Sequence, residues 1–173
     1  PPVEPLYTQA DAVACMSLFI SVGYDRKLRV DESISVKFTN TGHMLGSAVA
    51  SIEVRTANGV KKIAYTGDIG RPGNRILKSP EPFPQADILI TESTYGDRLH
   101  PTYVESDEEL FNVVQDTCVR KKGKLIIPAF SVGRTQEIVY ALNNLYNQGR
   151  LPKVDTYVDS PLSVNATNIF RLH

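Results

Sequence analysis

Three short polar turns in the sequence carry side chains that could bind metal ions. His43 stands next to Gly42, and Asp68 and Glu92 lie in two later turns. Each turn closes an apolar run rich in β-branched residues, which is typical of a strand. Imidazole and carboxylate groups are the usual ligands of hydrolytic metal ions. This pattern predicts a hydrolytic metal site along one edge of a sheet.

Each of the three residues also has a structural interpretation. A single histidine such as His43 is often a loop or capping residue, and Asp68 could be a turn carboxylate that accepts hydrogen bonds from backbone amides. Glu92 directly follows the apolar run 86–90, where its charge needs a metal, a proton or a cationic partner. The residues alone therefore leave both interpretations open.

Two further segments could carry chemistry. We interpret His100 as structural, and His173 ends the chain and supports no site. Residues 132–137 could place backbone amides and Arg134 at a helix N-terminus, which is a natural anion site. Packing and interdomain ion pairing explain the same segment equally well.

The first half of the chain is predicted to consist mainly of β-hairpins. Thr8, with Asp11 three residues on, has the form of a helix N-cap and begins a packing helix over residues 9–19. Asn58-Gly59 between two β-rich runs is a strong hairpin signal. The predicted strands are 27–30, 33–38, 47–56, 60–65 and 86–90, the last of them buried, with a loop over 68–84.

From Tyr103 the pattern changes to alternating strands and helices. Residues 106–109 have the form of a capping box that begins a helix to about Lys122. The further predicted elements are a buried strand at 124–127, a helix at 133–147, a strand at 154–158 and a final helix from 159–161. This order implies a parallel sheet with right-handed crossovers, so the predicted fold class is α/β, with a boundary near residues 96–103.

Charge and composition exclude several classes of protein. Lys+Arg and Asp+Glu are equal at 19 each, so no global basic field is available for nonspecific nucleic-acid coating, although a local groove remains open. Cys15 and Cys118 lack metal-ligand spacing and are expected to be buried free thiols in a reducing compartment, which predicts a cytoplasmic location. No apolar run approaches the ~18 residues of a membrane span.

Several motifs in series resemble a known family. They are GHMLGS at 42–47, YTGD at 65–68, ESTYG at 92–96, IPAFSVGRTQE at 127–137 and DSPL at 159–162. In this order they resemble the β-CASP group of metallo-β-lactamase nucleases, which contains the cleavage and polyadenylation endonuclease and ribonuclease J. The resemblance implies an αββα sandwich into which a Rossmann-like β-CASP domain is inserted. Residues 1–96 would be part of the sandwich, and residues 97–173 the N-terminal part of the β-CASP domain.

The resemblance also implies a role for each candidate residue. His43 matches the histidine ligand of one zinc ion, Asp68 matches the aspartate that bridges two zinc ions, and Glu92 matches the acidic residue near the nucleophilic water. The implied activity is RNA processing, in which metal-activated water hydrolyses phosphodiester bonds of single-stranded RNA. A DNA nuclease of the same group and a noncatalytic scaffold subunit are the alternatives.

The ligand set in this sequence is incomplete. The family's His-x-His-x-Asp-His cluster is missing, and no two of the three histidines are close in sequence. A catalytic zinc ion usually needs three protein ligands. We therefore expect an internal part of a longer nuclease that has little or no activity and weak or absent metal binding by itself.

Overall fold

The fold is mixed α/β, as predicted. In the computed structural model we describe residues 5–100 and 102–173; residues 1–4, at the start of the predicted 1–96 domain, and residue 101, in the predicted boundary region, lie outside this description. The described residues form one five-stranded sheet and four α-helices. The elements are α1 (Gln9–Met16), β1 (Lys27–Arg29), β2 (Ile34–Asn40), β3 (Ala48–Thr56), β4 (Gly59–Tyr65), β5 (Ile88–Ile90), α2 (Tyr103–Val114) with a π-helical continuation (Gln115–Arg120), α3 (Arg134–Asn147) and α4 (Pro161–Phe170).

The sheet follows chain order, β1-β2-β3-β4-β5. The first four strands are antiparallel and β5 pairs parallel to β4. Both predicted hairpins are confirmed. In the first, a carboxylate oxygen of Asp31 accepts hydrogen bonds from the amides of Ser33 and Ile34 at 2.7 Å each. In the second, Thr56 pairs with Gly59, whose φ of 110° is one that glycine adopts readily.

Helix α1 begins where the sequence predicts and ends earlier. The Thr8 side chain accepts a hydrogen bond from the Asp11 amide, and the Asp11 carboxylate accepts one from the Thr8 amide. The helix ends at Met16 instead of residue 19, because the Ser17 hydroxyl and amide both bond back to the Ala14 carbonyl and tighten the last turn. The predicted apolar face of this helix is exposed, with Val13 66% and Met16 64% accessible.

Helix α2 begins earlier than predicted. The capping box at 106–109 is wrong, since Thr102 and Glu105 form one upstream: the Glu105 carboxylate accepts from the Thr102 amide at 2.7 Å, and the Thr102 hydroxyl accepts from the Glu105 amide at 3.2 Å. Residues 102–105 and residues 106–109 both match the Ser/Thr-x-x-Glu pattern, and the helix begins at the earlier match. The predicted end near residue 122 agrees once the π-helical residues are included.

The predicted strands at 124–127 and 154–158, and with them the predicted parallel sheet, are wrong for the described residues. A strand requires a ladder partner, and neither segment has one in the described part of the chain. Each segment instead contributes one side chain, Leu125 or Val154, to the small helical core around Val114 and Leu145. The predicted burial of β5 is also wrong, because it is an edge strand whose three residues are 51–55% exposed.

Much apolar surface remains accessible. The accessible area is 13434 Å², against about 8,400 Å² for a compact protein of this length. Cys15 is exposed and Cys118 half-buried, so their predicted burial is wrong, whereas both are free thiols as predicted. None of the helices in the described residues is long and apolar enough to cross a membrane.

Candidate active site

The three predicted turns lie at the same edge of the sheet. Strand β3 runs antiparallel to both β2 and β4, and β5 runs parallel to β4. The C-terminal ends of β2, β4 and β5 therefore point the same way. These ends lead directly into His43, Asp68 and Glu92. All three residues therefore follow strand ends at the same edge of the sheet.

The side chains of His43 and Asp68 lie close together at this edge of the sheet. The His43 Nε2 atom is 3.6 Å from a carboxylate oxygen of Asp68. Both side chains are accessible, at 38% and 69% respectively. They line an open cavity of about 340 Å³, together with Ser47 and Thr66. This pair presents one imidazole and one carboxylate to the same solvent-filled space.

A backbone crossing brings the two turns together. The Gly70 amide donates a hydrogen bond to the Thr41 carbonyl at 2.8 Å. A Cβ atom on Gly70 would lie far inside van der Waals contact with the Gly42 carbonyl. Gly42 itself adopts a φ of 64°, which is in the left-handed region. Glycine at both positions therefore allows His43 to approach Asp68.

Two residues that support the His43 turn were missed by the sequence analysis. The Ser47 hydroxyl accepts hydrogen bonds from the amides of His43 and Met44 at 3.1 Å each. The Asn40 side chain is buried, and its carbonyl oxygen accepts from the Gly42 amide at 2.9 Å. Asn40-Thr41-Gly42 has the form of an Asx turn, so the sequence did contain a signal for Asn40.

Glu92 lies beside the Asp68 turn and not in the cavity. Its carboxylate accepts a hydrogen bond from the Ile69 amide at 2.7 Å. That bond, followed by a hydrogen bond from the Thr94 side chain, lowers the pKa of Glu92 below its usual value. Glu92 is therefore held as a carboxylate next to the residue that follows Asp68.

The remaining candidate residues are used in packing. The His100 ring lies 4.4 Å from the Tyr95 ring, which supports its structural interpretation. In the 132–137 segment, Gln136 is buried and Glu137 accepts a hydrogen bond from Asn74 at 2.6 Å. Arg134 pairs with Glu137 at 3.2 Å. These contacts favour packing and ion pairing over an anion site.

Relatives with similar sequences are known in archaea and eukaryotes. The transcription termination factor FttA of Methanocaldococcus jannaschii is 39% identical to this chain, over 84% of the chain and 23% of that protein. The RNase J-like protein of the same organism is 36% identical, over 95% of the chain and 38% of that protein. The endoribonuclease ysh1 of Schizosaccharomyces pombe is 32% identical, over 98% of the chain and 22% of that protein. No family model matches the chain.

Two of these relatives are named as RNase J-like or as an endoribonuclease, and in all three the aligned region covers most or nearly all of the chain. The chain belongs to the β-CASP group of the metallo-β-lactamase nucleases. It spans well under half of the length of each of these relatives. The resemblance drawn from the motifs at 42–47, 65–68, 92–96 and 127–137 is thus confirmed.

Membership of the β-CASP group implies a metal cofactor in general, and His43 and Asp68 are the candidate ligands in this chain. His43 and Asp68 offer the right donor atoms, an imidazole nitrogen and a carboxylate oxygen. Within residues 5–100 and 102–173, however, no three His, Cys, Asp or Glu side chains are grouped closely enough to hold a metal ion. The described residues therefore do not fit a complete metal centre by themselves.

Proposed function

We propose that this chain is part of a zinc-dependent, RNA-processing nuclease that hydrolyses phosphodiester bonds. The observation that carries the proposal is the 3.6 Å approach of the His43 imidazole to the Asp68 carboxylate at a sheet edge. Relatives named as ribonucleases support RNA as the substrate. Its single-stranded form is part of the proposal and follows from the resemblance of the motifs. The equal number of acidic and basic residues favours recognition in a local groove over nonspecific coating.

Each site residue has a proposed role. His43 would be the terminal ligand of one of two zinc ions, and Asp68 would bridge both. Such ions, when bound, supply an activated water and stabilise developing negative charge. Glu92 holds the backbone that follows Asp68 through the Ile69 amide, and its ionised carboxylate stays close to the site. Further ligands are needed, because the described residues provide too few.

The division into domains remains part of this proposal. Residues 1–96 would belong to the metallo-β-lactamase domain and residues 97–173 to the β-CASP domain. All five strands of the described residues precede residue 91, and three of the four helices follow residue 102, which supports a boundary between them. A cytoplasmic location likewise stays a prediction.

The proposal is tested with the full-length protein that carries this sequence. Matched RNA and DNA single strands are incubated with the wild type and with the variants His43→Ala and Asp68→Asn. We expect cleavage of RNA, a loss of at least about 100-fold in each variant, and a lowered zinc content measured by elemental analysis. The variant His173→Ala, which changes a histidine outside the site, should behave as the wild type.

The outcomes separate the proposal from its alternatives. Faster cleavage of DNA than of RNA would replace it with a DNA nuclease. A protein that binds RNA without zinc and cleaves neither strand would be a noncatalytic scaffold subunit. Full activity of Asp68→Asn would contradict the assigned site.

A further inference from the structure

The loop between β4 and β5 is held by two helices outside the sheet. Arg75 in this loop forms an ion pair with Asp107 of α2 and donates a hydrogen bond to the Tyr103 carbonyl at 3.0 Å. Asn74 donates from its side-chain amide to the carboxylate of Glu137 on α3 at 2.6 Å. Two consecutive loop residues thus contact two different helices. We call Asn74, Arg75, Asp107 and Glu137 the loop clamp.

The loop clamp is half-buried. The side chains of Arg75 and Asp107 are each 25% exposed, and that of Glu137 is 23% exposed. Interactions between partly buried charges are screened less by salt than those of exposed pairs. The Tyr103 ring adds an aromatic face, with the Arg75 guanidinium 5.7 Å from its centroid. These contacts are therefore screened less by salt than those of a fully exposed pair.

Asn74 uses both ends of its side chain. Its amide nitrogen reaches Glu137, while its carbonyl oxygen accepts from the amides of Ile76 and Leu77 at 2.9 and 3.1 Å. One end therefore fixes the local shape of the loop, and the other attaches that shape to α3. A substitution that changes only the side-chain nitrogen of Asn74 therefore tests the contact with α3 separately from the shape of the loop.

The candidate metal ligand Asp68 lies near the start of the same loop, shortly after the end of β4 at Tyr65. Its first residues are attached to the sheet edge, where Ile69 donates to Glu92 and Gly70 donates to the Thr41 carbonyl. Asn74 lies only a few residues after Gly70 in the sequence. The loop is thus attached to the sheet at one end and to the helices a few residues later. Movement of α2 and α3 would be transmitted to Asp68 through a short, constrained backbone.

We propose that Asp107 and Glu137 are positioning residues, which act through Arg75 and Asn74 to hold the Asp68 turn in register with the sheet edge. This proposal also gives a role to Glu137 in the 127–137 motif, which the proposed function does not use. The role of Asp68 in catalysis rests on the proposed function. The mechanical coupling itself does not, and it is measured separately.

The first experiment uses Asn74→Asp in the full-length protein that carries this sequence. The new carboxylate keeps the oxygen that caps the loop but faces Glu137 with a like charge, so the contact with α3 is lost. We expect amide hydrogen exchange at Ile69 and Gly70 to rise at least tenfold, while exchange at Ile63 in the middle of β4 is unchanged. A uniform rise throughout the sheet, or no change at Ile69 and Gly70, would overturn the proposal.

Rescue and control variants exclude a nonspecific effect. Adding Glu137→Gln to Asn74→Asp restores a donor opposite the new carboxylate, so exchange should return to within about threefold of the wild type. The variant Asn143→Asp makes the same charge change at an exposed position of α3 and should have no effect. If Asn74→Asp does not fold, the milder Asp107→Asn serves instead, with the same expected pattern. If amide exchange in the double variant stays as fast as in Asn74→Asp, the assigned contact between Asn74 and Glu137 is contradicted.

The second experiment measures catalysis in the full-length protein. Loss of the loop clamp should lower kcat about tenfold or more with little change in KM, because substrate contacts remain while the Asp68 turn moves. The Glu137→Gln rescue should restore kcat. An equal loss in Asn143→Asp would contradict a positioning role. If the full-length protein cleaves nothing, the proposed function fails, while the exchange experiment still decides the coupling.

Discussion

Gly70 lies so close to the Gly42 carbonyl that no side chain can be carried at position 70. A Cβ atom on Gly42 would lie 2.5 Å from the Lys78 carbonyl oxygen, and one on Gly70 would overlap the Gly42 backbone. The approach of His43 to Asp68 is therefore set by backbone packing. Their own contact, at 3.6 Å between accessible side chains, is too weak to do so.

We predict that Gly70→Ala separates these turns. The added methyl group must displace the Gly42 backbone, and the hydrogen bond from the Gly70 amide to the Thr41 carbonyl is lost. The free energy of unfolding should fall by about 3 kcal/mol or more, measured by urea titration. The matched control is Gly23→Ala, where the new Cβ atom meets only the Arg26 side chain at 3.7 Å. That variant should stay within about 0.5 kcal/mol of the wild type.

We also predict that the Ser47 hydroxyl is needed for the shape of the His43 turn. Ser47→Ala leaves the His43 and Met44 amides without their acceptor and should cost about 1 kcal/mol of unfolding free energy. Exchange at those two amides should rise, and Ser47→Thr should restore both quantities. Ser51 is the control, because its buried hydroxyl has no hydrogen-bond partner among the described residues. Ser51→Ala should be neutral or slightly stabilising, and a loss equal to that of Ser47→Ala would refute the assignment.

The elements that the sequence predicts correctly depend on neighbouring residues. The Thr8–Asp11 cap, the Asn58 turn and helix α3 each need contacts within a few residues. Strand ends are also local, and for this reason the common edge of His43 and Asp68 could be predicted.

The strand predictions that failed and the contacts that were missed depend on residues far apart in the sequence. The segments 124–127 and 154–158 have the composition of strands, but a ladder also requires a neighbour. The loop clamp joins Asn74 to Glu137 across 63 positions of sequence. No local pattern identifies such a pair in a single sequence.

The pH dependence of stability should reveal the bond between Glu92 and Ile69. The pKa of Glu92 is lowered in the folded chain, whereas an unfolded glutamate titrates near ~4.3. Its carboxylate therefore stabilises the fold above about pH 4.3, and this contribution disappears as the pH falls through the folded pKa. The difference in unfolding free energy between the wild type and Glu92→Gln should be larger at about pH 7 than at about pH 3.

The same bond can be tested by direct titration. Nuclear magnetic resonance should place the pKa of the Glu92 side chain below that of an unfolded glutamate. Thr94→Val removes the second donor and should raise that pKa towards its usual value, while the Ile69 bond keeps part of the shift. A pKa for Glu92 at or above the unfolded value would rule out the hydrogen bonds assigned to it.

The final prediction concerns Gln136, a buried residue that connects α3 with α4. Its side-chain nitrogen donates to the Ser163 carbonyl at 3.2 Å and to the Thr167 hydroxyl at 3.0 Å, and its oxygen accepts from the Gly133 amide at 2.7 Å. Gln136→Leu keeps much of the volume but removes these three hydrogen bonds and leaves the Gly133 amide without this acceptor. The free energy of unfolding should fall by about 2 kcal/mol or more, whereas Gln148→Leu at an exposed position should change it by less than about 0.5 kcal/mol.

Measuring the same unfolding free energies with and without inorganic phosphate decides between packing and an anion site for residues 132–137. If the segment serves packing, Gln136→Leu lowers stability whether or not phosphate is present. If it forms an anion site at the start of α3, inorganic phosphate should stabilise the wild type, and Arg134→Ala should abolish that gain. The buried Gln136 and the pairing of Arg134 with Glu137 favour the first result. A phosphate-dependent gain that is lost in Arg134→Ala would restore the anion site.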